Sequence, residues 1–162
     1  MSRLDSFIRR VSAQRDCLNM LAGMIGGADG PVLELGLGNG RTFDHLRSLF
    51  PGREIFVFER KVAAHPACIP DDDFLILGDI FETLPKARQR IGRPAALVHT
   101  DIGTGDEEGN ARIAAFLGRH LPDLVAPGGI IASDQDLGLD GWEALPLPEG
   151  VPAKRYHLYR KR

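Results

Sequence analysis

The chain has 162 residues, 43% hydrophobic and 26% charged, with a formal net charge of −2. That length suits one domain with a full core, the near-neutral charge argues against nucleic acid as an obligatory partner, and no run approaches the ~20 apolar residues of a membrane span. Cys17 and Cys68 stand in no metal or redox spacing and read as reduced thiols, and charges every few residues near Met1 leave no visible signal peptide, so the expected compartment is the cytoplasm.

In chain order, Leu4, Phe7, Ile8, Val11, Leu18 and Leu21 recur at helical spacing between Ser2 and Leu21, while Arg3, Arg9, Arg10 and Arg15 fall on other faces. Residues 1–25 are therefore expected to form an amphipathic helix packed on a single domain spanning residues 1–162, its arginines a solvated face. Gly23, Gly26, Gly27 and Gly30 loosen the chain after it. Val32 to Leu35 reads as a short buried strand, followed by glycines at 36, 38 and 40 and a helix from Arg41 to Phe50 that stops at Pro51-Gly52. Glu54 to Phe58 is a second strand. Pro66 and Pro70 break up the segment 61–73, and Phe74 to Leu77 is a third strand. Thr83 is placed to cap a helix carrying Pro85 in its first turn and ending near Ile91. Ala95 to Thr100 is the fourth strand. Asp106, Glu107 and Glu108 put negative charge at the start of the next helix, which Pro122 ends. Pro127-Gly128-Gly129 reads as a turn into a fifth strand, Ile130 to Ala132. Trp142 to Leu145 and Lys154 to Arg160 then read as two short edge strands separated by prolines, with no room for a helix between strand five and Trp142. The alternation predicts an α/β fold with parallel strands and right-handed crossovers.

In such a sheet, ligands bind beyond the carboxyl ends of the strands. Every strand brings a carboxylate there: Glu34 just before the glycine turn, Glu59 after strand two, Asp79 after strand three, Asp101 after strand four and Asp134 after strand five. Glu59 is spaced to accept hydrogen bonds from ribose hydroxyls, against the plainer reading of a capping glutamate. Asp79 is placed to accept from an adenine amino group with Ile80 packing on the ring, or simply to sit in a solvated turn. A dinucleotide turn wants G-x-G-x-x-G, and counting from Gly36 the third glycine position is Arg41, too large for close helix packing. A rim of acids also suits a ligand carrying a sulfonium and an ammonium better than a pyrophosphate. S-adenosylmethionine carries both, with a ribose and an adenine. His99 shares the Asp101 face of its strand and reads as a satisfied core histidine or a proton acceptor. Lys154, Arg155, Arg160, Lys161 and Arg162 read as a solvated edge, and Trp142 as a packing or pocket residue.

The segment Glu34-Leu35-Gly36-Leu37-Gly38-Asn39-Gly40, with Glu59 after strand two and Gly78-Asp79-Ile80 after strand three, resembles the motif set of class I S-adenosylmethionine-dependent methyltransferases. The likeness spans about residues 32–134. It implies a Rossmann-like open sheet, mostly parallel and seven-stranded in the order 3-2-1-4-5-7-6, with helices on both faces. It also implies cofactor contacts at Glu34, Gly36, Gly38, Gly40, Glu59, Arg60, Asp79, Ile80 and Asp101, with Asp101 next to the reacting centre. The implied activity is in-line transfer of the methyl group of S-adenosylmethionine to a small-molecule acceptor. A nucleotide-dependent oxidoreductase and a non-catalytic S-adenosylmethionine-binding protein stay as alternatives. A second resemblance, to catechol-type metal-dependent O-methyltransferases, implies Mg²⁺ held by Asp101, Asp134 and Gln135. Gln135 stands where that group has Asn, and Thr104 where it has a lysine base. No membrane or nucleic-acid partner is expected, and a homodimer or the N-terminal helix could complete the substrate wall.

Overall fold

The computed structural model describes residues 2–162. Its strands form one seven-stranded sheet in the order β3-β2-β1-β4-β5-β7-β6. β1 (Val32–Leu35), β2 (Ile55–Glu59), β3 (Leu75–Leu77), β4 (Ala95–Thr100) and β5 (Val125–Ser133) run parallel; β7 (His157–Arg160) pairs antiparallel with both β5 and the two-residue β6 (Glu143–Ala144). Every residue of β1 and β4 is buried, because helices cover both faces of a parallel sheet. One face packs α1 (Arg3–Ile25) and α2 (Arg41–Leu49) around Leu18, Leu21, Leu46, Val57 and Ile130. The other packs α4 (Ala87–Ile91) and α5 (Glu107–His120) around Leu33, Leu35, Leu84, Val98 and Leu117. α3 (Ile80–Thr83) is a single turn after β3. The order reverses between β1 and β4, and there the chain leaves a crevice at the carboxyl ends of the strands.

The 23-residue α1 is about 35 Å long. Its start is fixed by a capping box, in which the Ser2 hydroxyl accepts from the Asp5 amide at 3.0 Å and the Asp5 carboxylate accepts from the Ser2 amide at 3.0 Å. It runs through Gly23 and ends at Ile25, as expected, because Leu21 and Ile25 are both buried and their contacts outweigh the poor helix propensity of glycine. Only its second half is core, from Ala13 onward; the first turns leave Leu4 65% and Ile8 50% exposed. Among the described residues no helix is long and apolar enough to cross a membrane.

Three local readings change. The cap after β3 is Asp79, whose side chain accepts from the Phe81 amide at 2.9 Å, whereas Thr83 lies inside the turn and its hydroxyl donates to the Asp79 carbonyl at 3.0 Å. Pro127-Gly128-Gly129 is not a turn before β5 but a bulge within it. The register slips between Ala95 and Leu97, Gly128 takes φ +77°, and the Gly128 and Lys161 amides bridge to the carbonyls of Lys161 and Gly129, each at 2.9 Å. Edge pairing across β7 thus begins on the residues that looked like a break. At the C-terminus, the Lys161 ammonium donates to the Pro122 and Val125 carbonyls at 2.7 and 2.9 Å, so that charge ties the end of α5 to β5.

Gly40 joins the turn after β1 to α2 with φ +85°, and a Cβ there would lie 2.5 Å from the Cβ of Cys68 and 2.8 Å from its carbonyl oxygen. Gly40→Ala is expected to destabilise the chain by ~2 kcal/mol or more, combining left-handed strain with a backbone clash. Urea denaturation checks this; a change inside a few tenths would show that the 66–68 turn yields freely.

Candidate functional site

A cavity of about 560 Å³ opens over the carboxyl ends of β1, β2 and β4, a volume suited to a nucleoside-sized ligand. Its floor is electrostatic. Glu34 and His99 are register partners on β1 and β4, both essentially excluded from solvent, with His99 Nδ1 2.6 Å from a Glu34 carboxylate oxygen. His99 Nε2 lies 3.1 Å from the Tyr156 hydroxyl, which donates onward to Asp101 at 3.4 Å. Because the tyrosine proton is directed at Asp101, its oxygen accepts from Nε2–H of His99. Burial pushes the Glu34 carboxyl above its usual range, and His99 only partly opposes this. Burial alone would lower the His99 imidazole, but Glu34, with Asp101 and Asp134 behind it, outweighs burial and raises it. The pair therefore keeps its shared proton to a higher pH than an isolated carboxyl or imidazole would. His99 is thus a satisfied core histidine within a chain of hydrogen bonds that ends at Asp101.

The turn above this floor is built by Glu59. One carboxylate oxygen accepts from the amides of Leu37 and Gly38 at 2.8 and 3.1 Å, the other from those of Arg60 and Lys61 at 2.8 and 3.0 Å. Partial burial alone would raise this carboxyl, but the four amides together hold it below its ordinary range. Gly36 (φ +92°) would drive a Cβ into Ile102, while Gly38 (φ +53°) has open space before it. The three glycines thus divide their work: Gly36 admits the loop after β4, Gly38 faces the cavity, and Gly40 packs on Cys68 instead of giving a ligand room.

Asp79, Ile80 and Arg60 line the same cavity, with Asp79 spending one oxygen on its cap. Of the expected cofactor residues, Gly40 alone is absent from its walls. The walls also contain side chains that the sequence reading did not place there. Phe7, Arg10 and Gln14 reach in from α1, Arg41 from α2 and Arg112 from α5. Arg10 and Arg41 both stack over the Phe7 ring, at 5.8 and 5.7 Å from its centroid. Acids line the inner floor and exposed arginines the mouth, so the rim is not uniformly acidic. Gln14 was detectable: it interrupts the apolar stripe between Val11 and Leu18, and its amide donates to Asp101. Trp142 lies outside the cavity, packed against the α4–α5 face with the Lys161 ammonium 6.0 Å from its ring centroid.

Asp101, Asp134 and Gln135 are neighbours, yet they do not form an ion cage. Asp134 Oδ2 accepts from the Gly103 amide at 3.2 Å and from the Gln135 side-chain amide at 3.0 Å, so Gln135 turns a donor, not an oxygen, inward. A Cβ on Gly103 would collide with both side chains, which shows how closely the loop after β4 seals this corner. Asp101 is engaged by Gln14 and Tyr156. Burial raises the Asp134 carboxyl, and the neighbouring Asp101 adds to the rise. Octahedral Mg²⁺ takes oxygen ligands only; here Gln135 offers a nitrogen, Asp134 is raised toward its neutral form, and among the described residues no group of three acidic, histidine or cysteine side chains is placed to hold a metal ion. The Mg²⁺ expectation does not fit these residues.

The profile of the S-adenosyl-L-methionine methyltransferase family matches residues 1–161. The chain is similar over 100% of its length, at 47% identity and a TM-score of 0.93, to 99% of an S-adenosyl-L-methionine methyl transferase from Silicibacter pomeroyi DSS-3. A putative caffeoyl-CoA O-methyltransferase from Staphylococcus aureus shares the fold at 12% identity and a TM-score of 0.61, over 100% of this chain and 85% of the other. So does a release factor-specific protein-(glutamine-N5) methyltransferase from Alicyclobacillus acidocaldarius, at 15% identity, a TM-score of 0.55 and 93% coverage of both chains. Comparison with curated proteins gives no match.

The retained proton has a measurable consequence. A raised folded-state imidazole adds stability that is complete below its ordinary value of 6.5 and is lost as pH rises through the folded value. Relative to His99→Asn, the wild-type unfolding free energy is expected to fall by up to ~1.4 kcal/mol per pH unit above that point. Urea titrations at slightly acid and slightly alkaline pH check this; a difference independent of pH would mean that the pair holds no extra proton.

Proposed function

Because the chain belongs to the S-adenosyl-L-methionine methyltransferase family, we propose that it methylates a small-molecule nucleophile by in-line displacement, with S-adenosylmethionine as donor. The observation that carries this reading is the position of Asp101. Its side chain lines both the large cavity and a second one of about 230 Å³ that also shares Arg10 and Thr104 with it. A donor in the first and an acceptor in the second would meet at this carboxylate. The second volume lies below the range usual for drug-sized ligands, which favours a compact acceptor over a macromolecular segment.

When bound, S-adenosylmethionine supplies an electrophilic methyl group whose sulfur keeps the electron pair of the broken bond. The residues fit such a ligand. Gly38 leaves its backbone open to it, Ile80 offers an apolar face for a purine, and the uncommitted Asp79 oxygen offers an acceptor for an amino group. Glu59 and Arg60 stand where a ribose would lie, and a hydroxyl reaching Glu59 shares an oxygen with the turn amides. Asp101, at the junction, places negative charge near the cationic end, above the proton-sharing Glu34–His99 pair. Asp101 accepts the proton of the nucleophile, while Gln14 and Tyr156 hold its carboxylate in place. Orientation by such a frame supplies up to ~7–11 kcal/mol of barrier reduction. No step is assigned to a divalent ion.

Calorimetry with S-adenosylhomocysteine, S-adenosylmethionine and a nicotinamide dinucleotide tests the reading: the adenosyl sulfur compounds bind and the dinucleotide does not. In Glu59→Gln the new amide hydrogens face backbone donors, and affinity for S-adenosylhomocysteine drops by ~1–3 kcal/mol. Unchanged affinity would remove Glu59 from the site. Asp101→Asn lowers kcat by about 100-fold or more in a radiolabelled methyl-transfer assay over small acceptors; undiminished turnover would rule out the carboxylate as proton acceptor.

A further inference from the structure

The smaller cavity contains a cation without a partner. Arg155, just ahead of β7, lines it opposite Asp134, and the Arg155 Nε is buried without a hydrogen bond. Among the described residues neither Arg155 nor Arg10, which shares this cavity, forms an ion pair, although Asp101 and Asp134 line the same space. A cation and two carboxylates around one small volume ordinarily close on one another, since an unpaired charge away from water is costly. Here they stand apart. The backbone beside one of them is unusual: Lys154, immediately before Arg155, has φ +64°, the one non-glycine residue with a positive φ among the described residues. Bulky side chains avoid that region, and such outliers gather where a neighbouring residue must be aimed. On the acid side, Asp134 Oδ1 is likewise buried and unpartnered. The cavity thus has a cationic wall and an acidic wall, each with unmet hydrogen-bonding capacity.

Resting on the methyl-transfer reading above, we infer that this cavity is the acceptor subsite, and that the acceptor is a small anion whose carboxylate or phosphate is held by Arg155 with Arg10. The guanidinium fork matches either oxyanion in a way that a lysine would not. The opposite end of the acceptor, carrying the hydroxyl or amine to be methylated, then faces Asp101 at the junction with the donor cavity. Arg155 therefore determines which acceptors bind, and it is not among the residues that line the donor cavity.

The test uses the full chain saturated with S-adenosylhomocysteine and follows arginine Nε–H resonances by nitrogen-15 NMR. Malonate and inorganic phosphate are the probes, added at constant ionic strength with sodium chloride as control. The Arg155 signal, identified by its loss in Arg155→Met, is expected to move saturably with one probe or both. A malonate response marks a carboxylate acceptor and a phosphate response a phosphorylated one. Arg155→Met should bind S-adenosylhomocysteine within about twofold of wild type and show no saturable anion response at its remaining arginines. Should that variant not fold, Arg155→Lys removes the same resonance and weakens the anion response, observed on Arg10, by about tenfold. An Arg155 signal indifferent to both probes, or moving only as sodium chloride moves it, overturns the subsite while the donor reading stands. Failure of S-adenosylhomocysteine to bind wild type overturns the donor reading and this one with it.

Discussion

A carboxylate and an imidazole stand side by side in the middle of the sheet, and the rest of the site is built over them. Glu34 and His99 occupy matching register positions on β1 and β4, at the point where strand order reverses. Alone, either charge would be unsustainable among Leu33, Leu35, Leu97 and Val98, all without solvent exposure. Together, sharing a proton, they remain, and they commit the neighbouring elements. Tyr156 must come from the far edge of the sheet to satisfy the second imidazole nitrogen, and its hydroxyl then reaches Asp101. One buried pair thereby joins the first strand, the fourth strand and the segment before the last into a single polar column.

That column explains how so short a chain completes a site. There is no helix between β5 and β6, and β6 has two residues. The loop that replaces the helix is fixed instead by Tyr159, whose hydroxyl donates to Asp136 at 2.6 Å and accepts from the Leu137 amide at 3.2 Å. Part of the lining of both cavities comes from segments near the two ends of the chain. The first turns of α1 provide Phe7, Arg10 and Gln14, and the approach to β7 provides Tyr156 and Arg155. Gln14 from α1 and Tyr156 ahead of β7 both bond Asp101.

What the sequence disclosed was whatever repeats at short range. Alternating strands and helices pointed to the parallel α/β sheet and an acid closing each strand to the floor of the cavity, whereas the strand order came only with the family resemblance carried by residues 34–40, Glu59 and Gly78-Asp79-Ile80. What stayed hidden depends on contacts across long separations. Nothing local to Tyr156 states that it answers His99, 57 residues earlier, or that Gln14 answers Asp101, 87 residues later. Arg10 sat on a face that helical periodicity marks as solvated, and only the overhang of α1 brings it to the mouth. The Pro127-Gly128-Gly129 turn failed as a reading for a related reason. Local turn chemistry favoured a break, but Lys161, continuing the neighbouring β7, supplied the hydrogen bonds that let a bulge continue instead. Mg²⁺ came with the catechol-type resemblance, which matches positions, whereas coordination depends on which atom of Gln135 points inward.

The carboxylate of Glu59 also limits how far the glycine loop can be treated as a self-contained module. Its curvature is held by a side chain more than twenty positions downstream, on a different strand, through bonds to the Leu37 and Gly38 amides. A graft of residues 31–42 into a foreign α/β scaffold would transfer the letters of the motif and leave its keystone behind. Any transplant that hopes to retain the loop's shape must import an acid at the matching height of the adjoining strand.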